Sequence, residues 1–185
     1  MRLYTLEWEY CIVMEHNLRL NELLFSSPIG WILLRANNGF ITKIIFVEDA
    51  QVDIEKKRLS RQNNEPETNT DKLALGECYA QLDLYFKGRL KAFDIKYQNN
   101  GTDFQQKVWG ALQKIDYGTT TSYGRLAALI GQKKAVRAVG GAMNKNNLLI
   151  LTPCHRVIGS NGSLTGYDGG LWRKEWLLNH EKKYA

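Results

Sequence analysis

Cys154, His155 and Arg156 stand side by side in the segment Ile150 to Ser163, ILTPCHRVIGSNGS. A thiol attacks carbon as the thiolate, and a free thiol with a pKa of about 8.5 is only a few per cent ionised at neutral pH. A guanidinium at Arg156 and a basic surrounding favour the thiolate, and His155 can take the proton. The geometry is less simple. The aliphatic run before Pro153 reads as the end of a buried strand, and neighbouring side chains of an extended segment point to opposite faces. Either Pro153 turns the chain, or a water carries the proton from Cys154 to His155. On these residues alone, a buried cysteine beside a surface histidine explains the segment slightly better than a nucleophile does.

The wider inventory narrows the chemistry. Cys11, Cys78 and Cys154 are odd in number and far apart, which speaks against a disulfide framework. The histidines are His16, His155 and His180, and neither C-x-x-C nor H-x-x-x-H spacing occurs, so no zinc site is expected. The start of the chain, MRLYTLEWEY, carries Arg2, Glu7 and Glu9 and lacks the apolar stretch of a secretory signal. No run approaches the roughly 20 apolar residues of a membrane span. The cytoplasm is the expected location. Charge is distributed unevenly: residues 1–100 hold 13 Lys+Arg against 14 Asp+Glu, whereas residues 101–185 hold 12 against 5. A basic excess confined to the C-terminal part suggests a polyanionic partner there, although a solvated basic face explains the charge alone equally well.

The elements that must hold these residues can be read from pattern. Ile29 to Val47 reads as a β-hairpin about Asn38-Gly39. Residues 60–71 are polar, contain a proline and read as a loop. From Asp71, the positions Leu75, Cys78, Tyr79, Leu82 and Phe86 follow helical spacing, with Gly88 placed as the stop. Cys78 therefore belongs to an apolar face. Phe93 to Tyr97 reads as a short strand and residues 98–101 as a linker, giving an α/β domain over 1–97 and a second domain over 98–185.

The second domain is mainly helical. Phe104, Val108, Leu112 and Ile115 mark a helix ending before Tyr117-Gly118. Thr121 or Ser122 can cap a second helix carrying Leu126, Ala127 and Ile130, stopped by Gly131. After a basic turn at Gln132 to Lys134, Ala135 to Met143 forms a third. Two short helices across a tight turn outline a helix-turn-helix. The small residues Ala138, Gly140, Gly141 and Ala142 serve either helix packing, the commoner reason, or close approach to a nucleic acid backbone.

Five segments together carry a resemblance: GTDFQQKVW (101–109), TSYGRLAALIG (121–131), AVRAVGGAM (135–143), LTPCHRVIGSNG (151–162) and GYDGGLWRKEWLLNHE (166–181). They resemble the O6-alkylguanine-DNA alkyltransferases, and they cover nearly the whole second domain. SSPIGWILL and QLDLYFKGRLKAFDI resemble that family's first domain more loosely. The resemblance implies a ribonuclease H-like N-terminal domain, a small antiparallel sheet with a helix. A C-terminal winged-helix or helix-turn-helix domain follows it.

The same resemblance implies direct repair of double-stranded DNA bound through its minor groove. The O6-alkylguanine is flipped out of the stack and its alkyl group passes irreversibly to Cys154; O4-alkylthymine is a second candidate substrate. His155 becomes the general base acting through a water, and Glu181 the carboxylate that orients it. Tyr123 would protonate the departing guanine and help rotate the phosphate, and Asn146 would brace the turn beside the site. Arg137 would fill the space left by the flipped nucleotide, with Ala138 and its small neighbours against the groove. Gly124, Gln132 and Ser160 align with backbone-contacting positions. The Val157 carbonyl and the Asp168 N–H would read the edge of the base, with Tyr167 and Leu149 in the pocket. No metal or organic cofactor is implied, and the protein is expected to be a monomer in the absence of DNA.

Two positions depart from the family pattern. Asp168 stands where Ser or Ala is usual in GY-x-GG, and a carboxylate beside the charge developing on guanine hinders its departure. Leu149 stands where some members carry Pro, which alters the tolerance of bulky alkyl groups. Two rivals remain on the sequence. One is a non-reactive damage sensor or helix-turn-helix regulator, but relatives that only sense damage lack the cysteine. The other is a turnover thiol enzyme, which would hydrolyse an activated ester repeatedly.

Overall fold

In a computed structural model, which describes residues 21–61 and 69–185, Asn38 and Gly39 both adopt positive φ, 52° and 78°. That is the backbone a two-residue hairpin turn demands, and Asn-Gly meets it at the least steric cost. The turn joins β2 (Gly30–Asn37) to β3 (Phe40–Val47), and β1 (Glu22–Ser27) pairs antiparallel on the other side of β2. Cys11, His16, the rest of the first 20 residues and the stretch 62–68 lie outside the described residues.

Two helices cover this sheet. The helix α1 (Asp49–Arg61) sets Val52 and Leu59 against Leu33 and Val47. The sequence reading did not include it, because residues 49–61 hold few apolar side chains and one of these, Ile54, is exposed. The helix α2 (Asn69–Phe86) packs on all three strands, burying Leu75, Cys78, Leu82 and Tyr85. It ends where expected: Gly88 takes φ 70° and Arg89 N–H returns to the Leu84 carbonyl. Cys78 is wholly buried, and burial pushes its thiol up to about 12.

The strand expected over Phe93 to Tyr97 does not form. Tyr97 makes one isolated parallel bridge to Ile41, while the backbone of Asp94 is taken by the Gln81 side chain, which donates to its carbonyl and accepts from its N–H, both at 2.8 Å. A helix side chain thus satisfies groups that a partner strand would otherwise need.

The unit ending at Gln98 is followed by a second beginning at Asn99. Here α3 (Asp103–Leu112) opens with a capping box between Thr102 and Gln105, and packs on α4 (Tyr123–Leu129) and α5 (Val136–Met143). Trp109 Nε1 donates to the Ala142 carbonyl at 3.0 Å, tying α3 to α5. Ser122, one of the two cap candidates, accepts from Arg125 N–H at 3.2 Å. Gly131 at φ 73° ends the α4 segment, and α6 (Leu171–Tyr184) closes the unit. The whole is an α/β unit followed by a mainly helical one. Among the described residues no helix is long and apolar enough to cross a membrane.

The aliphatic run before Pro153 is not a strand. Leu148 to Leu151 are buried in consecutive turns, with Ile150 at φ 70° and Thr152 N–H bonded to the Leu148 carbonyl at 2.7 Å. The Asn146 side chain replaces the missing ladder: its Oδ1 accepts from Leu148 N–H and its Nδ2 donates to the Thr152 carbonyl, each at 3.0 Å.

Candidate active site

A two-residue parallel pairing assembles the site. β4 (Thr121–Ser122) runs beside β5 (Val157–Ile158), so the residue after β4, Tyr123, and the turn before β5, Cys154–Arg156, are held by one small sheet. Pro153 does turn the chain: at φ −80° and ψ 61° it feeds a single 3₁₀ turn over Cys154, His155 and Arg156. All three side chains are buried, so the histidine is not a surface residue. Among the described residues, Cys154 and His155 make no hydrogen bond to each other.

A side-chain amide reaches the thiol. Asn146 Nδ2 lies 3.4 Å from Cys154 Sγ. Burial pushes the thiol up to about 11, against the opposing pull of Asn146 and of the Lys174 charge. Cys154 is therefore a thiol at rest, not the thiolate that Arg156 was expected to sustain. Arg156 has another task. Its Nε and Nη2 donate to Glu181 at 2.9 and 3.0 Å, and its Nη1 donates to the Ile115 carbonyl at 2.6 Å.

His155 and Glu181 form a buried couple. His155 Nε2 lies 2.8 Å from Glu181 Oε1, and both side chains are fully buried. Burial would push the Glu181 carboxyl up, but His155 and Arg156 hold it well below the usual carboxylate range. An ionised carboxylate only accepts, so Nε2 carries the hydrogen and the lone pair of the neutral ring sits on Nδ1. Burial also lowers the His155 pKa, which keeps the ring neutral. Among the described residues His155 Nδ1 has no hydrogen-bond partner, which leaves its lone pair able to accept a proton.

Sequence reasoning missed Gly118 and Lys174. Gly118 N–H donates to Glu181 Oε2 at 3.0 Å from a backbone at φ 72°. Lys174 is fully buried, without a carboxylate partner among the described residues, its Nζ donating to the Thr165 carbonyl at 2.6 Å and the Gly166 carbonyl at 3.3 Å. Burial depresses its pKa to about 8. The signal was present: Lys174, Leu177 and Glu181 follow i, i+3, i+7 spacing and share the buried stripe of α6. Tyr123 Oη donates to the same Thr165 carbonyl at 3.2 Å. Tyr167 buries a phenol oxygen that has no hydrogen-bond partner among the described residues, and Leu149 and Val157 are fully buried, whereas Asp168 is exposed.

The helix-turn-helix presents a different surface. Gly124, Gln132, Arg137, Ala138 and Ser160 are all exposed. The small residues of α5 divide between the two roles considered. Ala142 is buried and a Cβ on Gly140 would lie 3.8 Å from the Tyr123 ring, while Ala138 faces solvent and a Cβ on Gly141 would meet nothing within 4 Å. Packing explains the first pair, and an open face suited to close approach remains for the second.

Comparison with known proteins agrees with this architecture. Residues 20–98 match the family model described as 6-O-methylguanine DNA methyltransferase, ribonuclease-like domain, and residues 103–183 match its DNA binding domain. A methylated-DNA–protein-cysteine methyltransferase of Methanosarcina acetivorans is 44% identical over 158 residues, covering 85% of this chain and 96% of the relative. The crystal structure of the Mycobacterium tuberculosis O6-methylguanine methyltransferase superposes with a TM-score of 0.72 at 38% identity, over 89% of this chain and 94% of that one. Mycobacterium tuberculosis OGT in complex with DNA gives a TM-score of 0.73 at 41% identity, over 90% and 95% of the two chains. With both of its units matched in order, the chain belongs to the 6-O-methylguanine DNA methyltransferase family.

Proposed function

We propose that this chain reverses alkylation damage in double-stranded DNA by moving the alkyl group of a flipped O6-alkylguanine onto Cys154, once per molecule. Residues 98–185 bind the DNA and accept the group, and residues 1–97 form a separate α/β domain. The observation that carries the reading is the buried series Asn146, Cys154, His155 and Glu181, with the His155 Nδ1 lone pair uncommitted and Nε2 held by the carboxylate.

The resting thiol dictates the sequence of events. At a pKa of about 11 it is almost entirely protonated at neutral pH, so the proton leaves as the substrate arrives. It passes through a water to His155 Nδ1, and Glu181 stabilises the imidazolium formed. The sulfur lone pair makes the S–C bond while the C–O6 bond breaks, and that electron pair moves into the guanine. Tyr123 gives the base a proton and is reprotonated from solvent, while the His155 imidazolium returns its proton to solvent, so the one proton lost by the thiol is balanced by the one gained by guanine.

The exposed face of α5 lies in the minor groove, with Arg137 in place of the extruded nucleotide and Ala138 close to the backbone. Gly124, Gln132 and Ser160 contact the phosphate backbone. Tyr167, Leu149, Val157 and the Asp168 N–H line the base pocket, and O4-alkylthymine is a second substrate to be assayed. The thioether product has no hydrolytic partner among the named residues, which makes the reaction single-turnover. No cofactor takes part in this scheme.

Mass spectrometry tests it. After incubation with a duplex containing O6-methylguanine, the protein should gain about 14 Da, one methyl, on the Cys154 peptide alone. Cys154→Ser should stay unmodified while binding the duplex. An unchanged mass in a tightly bound complex would turn the reading into that of a damage sensor. Methyl release in repeated cycles would point to a turnover enzyme.

A further inference from the structure

The loop from Thr165 to Gly170 ends in a β-turn closed by Gly170 N–H on the Tyr167 carbonyl at 2.9 Å, which puts Asp168 and Gly169 at its corner. This turn is pinned from α6. Arg173 Nη1 donates to the Gly169 carbonyl at 2.9 Å, and Lys174 holds the Thr165 and Gly166 carbonyls. Tyr167 points its phenol oxygen into buried surroundings, close enough to Cys154 for their charges to interact. Asp168, one residue on, is exposed, and among the described residues its carboxylate makes no hydrogen bond or ion pair. Both neighbouring cations are engaged elsewhere: the Arg173 guanidinium also lies 4.6 Å over the Trp172 ring, and the Lys174 Nζ is turned to carbonyls.

An alkyl carbon must touch Cys154 Sγ to be transferred, so a charge carried on the next atom of the adduct feels nearly the field that Sγ feels. The Thr165–Gly170 loop borders the site through its Thr165 carbonyl, which accepts from Tyr123 Oη and Lys174 Nζ, and two charges there act on the sulfur in opposite senses. Lys174 favours negative charge at the sulfur and Asp168 disfavours it. The lysine is buried and the carboxylate exposed, so of the two charges Asp168 is the one that stands on the solvent side.

We propose that the unpaired Asp168 carboxylate, at the corner of the Tyr167–Gly170 turn, is a specificity determinant that selects against anionic O6 adducts in favour of neutral ones. The proposal rests on the alkyl transfer proposed above. Two unit charges that interact through solvent repel enough to slow a step about fivefold.

Two nearly isosteric adducts separate charge from size: O6-carboxymethylguanine, an anion, and O6-carbamoylmethylguanine, its neutral amide. Single-turnover transfer to Cys154 is timed by mass spectrometry from one duplex sequence carrying either adduct, so that DNA binding cancels in the ratio of rates. Going from the natural protein to Asp168→Asn, and in parallel to Asp168→Ser, the neutral-to-anionic ratio should fall about fivefold. Because Asp168 is solvent-exposed, added salt should shrink the ratio more in the natural protein than in either variant. Ratios within twofold of one another in all three proteins overturn charge selection and leave alkyl transfer standing. No transfer from any adduct, O6-methylguanine included, removes the underlying reading and this inference with it.

Discussion

Among the described residues, His155 Nε2, Arg156 Nε and Nη2, and Gly118 N–H all converge on the Glu181 carboxylate. A carboxyl held below its unfolded value stabilises the fold above about pH 4.3 and loses that contribution as pH falls toward its folded value. Glu181→Gln should therefore flatten the acid limb of the stability profile. At pH 7 it should cost about 3–5 kcal/mol, because Arg156 is left buried and uncompensated. Urea titrations at pH 7 and at stepwise lower pH check both effects, and methyl transfer should fall with them. In the sequence Glu181 is a plain acid near a helix end, and only the family resemblance gave it a task. The thiol, imidazole and guanidinium were visible by type, but their division of labour was not. Arg156 serves the carboxylate rather than the sulfur, a choice set by a turn far away in sequence.

That turn, between α3 and β4, shows what an element contributes. The Ile115 carbonyl and the Gly118 N–H grip Arg156 and Glu181 with backbone alone, so no side-chain motif advertises them. A Cβ on Gly118 would stand 2.6 Å from Ala185 Cβ and 3.3 Å from the Glu181 carbonyl, on a backbone at φ 72°. Gly118→Ala should destabilise the protein by about 2 kcal/mol or more through conformational strain and this clash. Removing Ala185 as well should restore the part due to the clash, leaving the conformational part, as a pair of thermal melts would reveal. Elsewhere the elements were legible where local chemistry decides them. Asn38-Gly39 fixed a hairpin, Ser122 a helix start, and Gly88 and Gly131 two helix ends. They were illegible where tertiary partners decide. Phe93 to Tyr97 alternates like a strand but meets a glutamine, and among the described side chains α1 buries only Val52 and Leu59.

Over the whole molecule, the basic excess of residues 101–185 coincides with the unit whose family model is a DNA binding domain. Lys133 and Lys134 are exposed in the turn between α4 and α5. If each neutralises one phosphate, replacing both by Gln should flatten the slope of log affinity against log salt by about 1.8. Fluorescence anisotropy with an undamaged duplex at several salt concentrations measures it. A slope unchanged from the natural protein would place the DNA on another face.

The burial of Cys154 also bears on how such a reagent survives until it is needed. In an unfolded chain this sulfur would ionise as readily as any cysteine and react with whatever electrophile drifted past. Folded, it is masked, and in the proposed scheme it is unmasked by a guest that enters beside the imidazole and brings its own leaving group. On the proposed reading, the tertiary structure acts as a safety catch on a charge to be fired once.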